Sequence, residues 1–294
     1  MRIFLTGATG FIGSQIVPQL IGAGHQVLGM TRSDAGAQML VAAGAEPYRG
    51  LLEDLDSLRA GAAQADAVIH TAFDHDFSNF VANCEKDQRA IRAMGEVLAG
   101  SDRPLVITSG TGMGSAALGQ TATEDVINVN NPNPRVASEL AGQEMSAAGV
   151  KVVVVRLPQV HDTRKQGLVT PYIETARQRG LAAYIGEGRN RWPAAHVSDV
   201  ALLYRLAVEQ GQAGERFHAV HEEGVSARDI ATVVGAGLGV PVLSLAPELA
   251  AEHFGWFGAF AAMDLPASSA WTRERLGWRP EGPGLIADLE RMEY

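Results

Sequence analysis

The chain has 294 residues, 46% of them hydrophobic and 19% charged, the balance of an ordinary globular protein rather than a disordered or fibrous one. Its 24 basic and 33 acidic side chains give a net charge of −9, which leaves no basic footprint for nucleic acid or an anionic membrane. The single cysteine, Cys84, excludes an intrachain disulfide, offers nothing to a thiolate metal cluster and fits a cytoplasmic setting.

The first run, RIFLTG from Arg2, predicts a buried strand and is too short for a signal-peptide core, so the mature chain is expected to start near Met1. TGATGFIG, from Thr6 to Gly13, follows at once and leads into a helix predicted over 11–23. Gly7, Gly10 and Gly13 stand three apart, which lets the chain turn tightly, bring its amides near a pyrophosphate and pack the helix on the strand. Between a strand and a helix, this turn predicts a dinucleotide site; a glycine turn that binds nothing is the alternative. HQVLGM, from His25, predicts a second strand ending near Met30. An NAD site presents a carboxylate there to the adenosine ribose, whereas a 2′-phosphate wants a cation. The chain offers Thr31, Arg32 and Ser33, which favours NADP over NAD. Asp34 falls one step into the next helix, and Arg32 as a solvated loop charge is the plain alternative.

Helices over 34–43 and 54–63 lead to a strand in ADAVIHTA, from Ala65. A helix over 77–99, a strand in PLVITSG from Pro104, a helix over 134–148 and a strand in VKVVVVRLP from Val150 continue the alternation. Continuous apolar strands are buried on both faces, so the fold class is α/β, a doubly wound parallel sheet covered by helices, with ligands expected at its carboxyl edge. In PRVASELAGQE, Asn133 is the expected N-cap and Pro134 the first helical residue. Arg135 and Glu139 lie four apart on one face, with the cation on the first turn, the less favourable order against the helix dipole. Helix stability alone is therefore a poor explanation of them, and a solvated surface pair is the alternative to a role in the site.

After about residue 157 the rhythm loosens. We divide the chain into 1–157, a cofactor-binding domain with later returns to the sheet such as ERFHAV from Glu215, and 158–294, mainly a smaller helical substrate lobe. Residues 231–246 form the longest apolar region, but glycines and Pro241 break it and it falls short of the roughly 18 residues of a membrane span. HFGWFGAFAAMDLP, from His253, holds four aromatics and a methionine and is expected to pack a core or a subunit contact. Any part of it that reaches the cleft predicts hydrophobic or aromatic substrates.

TGATGFIG, AVIHTA, VITSG, VVVVRLP, GEGRNRWPAAHVSDVA and SSAWTRERLGWRP together resemble the extended and atypical short-chain dehydrogenase/reductase superfamily, of the NAD-dependent epimerase/dehydratase type. The resemblance runs from Arg2 to about Pro280. It implies a Rossmann sheet in which Gly7, Thr9, Gly10, Phe11, Ile12 and Gly13 hold a pyrophosphate, and Arg32 and Ser33 meet the 2′-phosphate of NADP. Thr71, Ala72 and Phe73 would lie by the adenosine and its ribose, Pro158 by the nicotinamide, and Ser109 at the substrate oxygen. It also implies that His196 and Asp199 fasten the substrate lobe, and that helices 77–99 and 134–148 pair two copies as a homodimer. The superfamily's Tyr-x-x-x-Lys pair is missing: aligned through ASE, its positions hold Arg135 and Glu139, and none of the five tyrosines falls there.

Carbonyl reduction needs an aimed hydride, stabilisation of the developing oxyanion and a proton. Ser109 and Thr111 can donate to the oxygen and Arg135 can add positive charge, with Glu139 orienting it. Arginine cannot release a proton near neutrality, which leaves His161, Tyr172, His75 and Asp74 as candidate donors, or water. The leading expectation is an NADP(H)-dependent oxidoreductase acting on a small, apolar carbonyl compound. The missing pair motivates a second, an NADP-binding redox sensor or regulator without catalysis, and a third is an epimerase or dehydratase with a recycled cofactor.

Overall fold

The computed structural model describes residues 1–294. Strands and helices alternate from the start: β1 (Arg2–Thr6), α1 (Gly13–Gly22), β2 (Gln26–Thr31), α2 (Asp34–Ala42), β3 (Glu46–Arg49), α3 (Leu55–Ala63), β4 (Ala67–His70), α4 (Phe80–Leu98), β5 (Pro104–Gly110), α5 (Val136–Ala147) and β6 (Lys151–Leu157). The remaining residues add β7 (Gln159–His161), α6 (Val169–Arg179), β8 (Ala182–Ile185), β9 (Arg191–His196), α7 (Val197–Gln210), β10 (Arg216–His218), β11 (Glu222–Ser226), α8 (Ala227–Leu238), β12 (Val242–Leu245), α9 (Ala250–Phe254), α10 (Gly258–Ala261), α11 (Ala270–Leu276) and α12 (Leu285–Glu290).

Seven strands form one parallel sheet in the order β10-β6-β5-β4-β1-β2-β3, a Rossmann arrangement. Because strand side chains alternate, Ile3, Leu5, Val106 and Val153 face a core shared with α1 and α7. Phe4, Val68, Leu105, Ile107 and Val152 face the opposite core, against α3, α4 and α5. All the strands end at one edge, where Gly7, Arg32, Thr71 and Pro158 follow β1, β2, β4 and β6 and Ser109 is the penultimate residue of β5. ERFHAV does return to the sheet, as β10 beside β6. Two smaller sheets, β11-β9-β7 and β12-β8, carry the C-terminal lobe, whose own core holds Tyr172, Trp192, Phe254 and Phe257. No helix is long and apolar enough to cross a membrane.

EPYR, where the sequence reading places no element, forms the edge strand β3, a position that tolerates Pro47 and two charges. The helix expected from 134 starts at Val136; Asn133 Oδ1 accepts from the Arg135 amide at 2.9 Å in a turn that precedes the helix rather than capping it.

Candidate functional site

The site begins where β1 hands over to α1. Gly7 takes a left-handed φ of +69°, and a Cβ added there would sit 2.8 Å from both the Ala72 amide nitrogen and Thr71 Oγ1. At Gly13 a Cβ would collide with the Gly7 carbonyl, so both positions demand glycine. The Gly10 amide donates to Gly7 O at 2.9 Å, while no carbonyl or side chain of the protein takes the amides of Phe11, Ile12 and Gly13. No side chain caps α1 either. Three free amides at a helix start are an arrangement able to accept an anion, and Gly7, Thr9, Gly10, Phe11, Ile12 and Gly13 make up the turn that presents them.

At the end of β2, Arg32 and Ser33 are exposed, and Ser33 Oγ caps α2 by accepting from the Gly36 amide at 3.1 Å. Asp34, the competing carboxylate, heads α2 and is held by Arg49, whereas Arg32 has no acidic partner. Beyond β4, Thr71 Oγ1 donates to Thr6 O at 2.8 Å and the Ala72 amide to Thr6 Oγ1 at 3.3 Å, which locks this loop to the glycine turn. Phe73 and Pro158 are half-buried at the same edge.

Ser109 ends the buried part of β5, 3% exposed, and its Oγ has no hydrogen-bond partner. Thr111 follows on a short helical turn, also buried. Arg135 reaches the same place from the residue before α5: its Nη2 donates to Thr108 O at 2.9 Å and its Cζ lies 4.3 Å from the Phe73 ring centre. Glu139 does not orient it. The partner of Arg135 is Asp87 of α4, fully buried, whose Oδ2 accepts from Nη1 at 2.6 Å and from Ser138 Oγ at 2.6 Å. Asp87 Oδ1 faces His70 Nε2 at 3.1 Å, and His70 Nδ1 faces Thr6 Oγ1 at 2.7 Å. Burial alone would raise the Asp87 carboxyl, but Arg135, His70 and Ser138 together hold it well below the usual carboxylate range. Thr108 Oγ1 closes the network by donating to His70 O at 2.7 Å beside the Tyr204 hydroxyl at 2.6 Å. Sequence reasoning missed Asp87, although an acid in the buried stripe of Cys84, Ile91 and Met94 was a signal.

Glu139 turns instead toward the sheet, where it takes two hydrogen bonds from Arg156 of β6, at 2.6 and 2.8 Å. Arg156 is fully buried and also donates to Thr123 O and Val126 O at 3.2 and 2.9 Å. Next to it, buried His218 donates from Nδ1 to Ser268 O at 2.8 Å and accepts at Nε2 from Arg156 at 3.2 Å. Burial and the neighbouring guanidinium push the His218 pKa down to about 3. Histidine in the unfolded chain titrates near about 6.5, so between these values only the unfolded state takes the proton and stability falls as pH drops, by up to about 1.4 kcal/mol per unit from this residue. Urea midpoints taken from neutral pH to about pH 4 should show a flatter loss for His218→Gln than for the parent. Equal slopes would remove His218 from this role.

Two expected proton donors are not in the cleft. Tyr172 on α6 lies in the core of the lobe, its hydroxyl donating to Ala183 O at 3.0 Å, and burial pushes its pKa upward. His161 is fully buried on β7, with Nδ1 2.7 Å from Asp288 of α12 and its ring edge-on to His196. Packing assigns both to the lobe's interior. Asp74 is tied to Lys86 at 2.8 Å. His196 caps the start of α7, its Nδ1 2.7 Å from Ser198 Oγ, and Asp199 accepts from the Glu281 and Gly282 amides at 3.1 and 2.9 Å, which ties α7 to the segment before α12.

His75 remains at the open edge. Its Nδ1 lies 3.1 Å from Phe73 O and its ring stands edge-on to the Phe73 ring, 5.3 Å between centres. Burial, then the Lys165 ammonium, push its pKa below the usual histidine value, with Arg135 adding to the effect. Lys165, which the sequence reading passed over, lies on the loop after β7 with its ammonium 5.8 Å from the Phe11 ring centre. From Phe73 an aromatic series runs through Phe80 and Phe77 to Trp256, which stacks on Phe77 at 5.3 Å and stays 53% exposed. The dense aromatic stretch therefore divides, Phe254 and Phe257 in the core and Trp256 against the main domain.

Residues 3–220 match the NAD dependent epimerase/dehydratase family. An uncharacterised protein of Schizosaccharomyces pombe is 47% identical over the full length of both chains. Another, of Saccharomyces cerevisiae, is 40% identical over 100% of this chain and 99% of its own. A more distant relative is a 2-alkyl-3-oxoalkanoate reductase of Stenotrophomonas maltophilia, 27% identical over 82% of this chain and 77% of its own. Among solved structures, DesIV, a dTDP-glucose 4,6-dehydratase of Streptomyces venezuelae with NAD and TYD bound, aligns with a TM-score of 0.78 at 19% identity, over 100% of this chain and 96% of that one.

Proposed function

Because the chain belongs to the NAD dependent epimerase/dehydratase family, whose members use NAD(P) and act on small molecules, we propose that it is an NADP(H)-dependent reductase of small, apolar carbonyl compounds. The observation that carries this reading is the unpartnered hydroxyl of Ser109, buried where the Arg135 guanidinium meets β5. An orphaned donor in a dry site asks for an acceptor, and a carbonyl oxygen is one.

The free amides of Phe11, Ile12 and Gly13 support diphosphate binding, and unpaired Arg32 with Ser33 supports the 2′-phosphate. The coenzyme, when bound, supplies the hydride. Ser109, with Thr111 beside it, donates to the substrate oxygen, and Arg135 offsets the charge that develops there, an electrostatic effect strongest where water is excluded. Asp87 holds the guanidinium in place. We assign the proton to His75, the titratable group left at the cleft edge, with Lys165 beside it. The apolar wall of Phe73, Phe77, Phe80 and Trp256 favours hydrophobic substrates over nucleotide sugars. Residues 1–157 hold the coenzyme in this reading and 158–294 mainly the substrate.

Incubating the purified chain with NADPH and a panel of aliphatic and aromatic aldehydes and ketones tests the proposal. NADPH consumption is expected, with kcat/KM falling as pH rises through a value below the usual histidine pKa of about 6.5. Arg32→Glu is expected to reverse coenzyme preference, lowering kcat/KM with NADPH by about tenfold or more, since it loses an ion pair and gains a repulsion. Tight NADPH binding without consumption by any carbonyl would favour the sensor reading, which the missing Tyr-x-x-x-Lys pair motivates.

A further inference from the structure

Farther along α5 than Arg135 lies a cavity of about 250 Å³, between α5, β6 and the edge strand β10. Its walls include Gln143, Ser146, Val152 and Val154, with Glu139 and Arg216. Arg216 is the unusual member. Its guanidinium makes no hydrogen bond to the protein: Nε is buried without a partner and the nearest carboxylate oxygen, Glu139 Oε2, stands 3.7 Å away. Glu139 cannot come closer without giving up the two bonds it accepts from Arg156. One carboxylate thus faces two guanidinium groups, and the site is left with one net positive charge and unfilled donors beside an open space. The Arg216 guanidinium borders this space without a protein acceptor, so an external one is called for.

We propose that this cavity is a binding site for a small monocarboxylate with a short aliphatic body. The single net charge matches one carboxylate, and the nearby Glu139 repels the dianionic form of phosphate about twice as strongly as a monocarboxylate. Arg216 presents the fork that carboxylates accept bidentately. Ser146 and Gln143 supply further hydrogen-bonding groups, while Val152 and Val154 offer an apolar surface that an inorganic anion would leave unused. The site is separate from the glycine turn and from Ser109, and the inference does not depend on the reductase reading.

Calorimetric titration of the full chain with butyrate tests it, with inorganic phosphate and n-butanol as comparisons. Butyrate is expected to bind at one site, and phosphate and butanol each at least about tenfold more weakly. Arg216→Gln is expected to weaken butyrate binding by about tenfold or more, the loss of a charge-assisted hydrogen bond. Because Arg216 lies on a three-residue edge strand, Ser146→Leu serves as a second variant that fills the space without touching a charge, and it too should weaken binding by about tenfold or more. Absence of butyrate binding, equal binding of phosphate, or butyrate binding unchanged in either folded variant would overturn the proposal.

Discussion

Replacing Arg156 by leucine is expected to destabilise the protein by about 3 kcal/mol, the low end for a broken buried pair, because a buried carboxylate loses both its hydrogen bonds and keeps only the Arg216 guanidinium at 3.7 Å. Glu139 is 1% exposed and takes both its hydrogen bonds at 2.6 and 2.8 Å from this one side chain. The variant also strips a donor from the carbonyls of Thr123 and Val126 in the segment that leads back toward Thr111. Urea denaturation measures the loss as a lower midpoint at unchanged slope. Glu139→Leu combined with Arg156→Met should recover most of it, since well-packed apolar groups replace a buried ion pair at little cost. A double variant as unstable as the single would show that packing, rather than the stranded charge, sets the penalty.

The second large effect falls on turnover. Ser109→Ala is expected to lower kcat by about 10²-fold, the typical result of removing one donor to a developing oxyanion, while stability scarcely changes because the hydroxyl has no protein partner to lose. Arg135→Ala should lose activity and stability together, since Asp87 is then buried without its guanidinium. Steady-state kinetics beside thermal melts separate the two variants. If Ser109→Ala turns over at the parental rate, that hydroxyl does not meet the substrate and the assignment of the site falls with it.

Much of this was legible in the residues. Unbroken runs such as VVVV in β6 cannot alternate between core and solvent, so they announce a strand covered on both faces. The glycine turn announces itself because two of its positions tolerate no side chain. Partner choice was less legible. Arg135 and Glu139 are four apart, which puts them within reach of each other on a helix, yet each finds a stronger partner across the fold. Asp87 lies 48 positions from Arg135, and Arg156 lies 17 from Glu139. Periodicity specifies which face of a helix is buried, not which charge waits on the neighbouring element. An arginine inside an apolar strand and an acid inside an apolar helix stripe were the available hints, because neither is buried without a counter-charge. His161 and Tyr172 misled for the same reason: their positions in the chain gave residue chemistry without giving depth.

Thr108 has one further consequence. Its carbonyl meets Arg135 on one side of the sheet and its hydroxyl meets Tyr204 on the other, so the helical layers, whose oily interiors never mix, share a common polar rivet. Separating either layer would strand hydrogen-bonding groups belonging to both. The protein should therefore surrender α4 and α7 in a single cooperative step, and slow-exchanging amides in those two helices should report one common opening free energy.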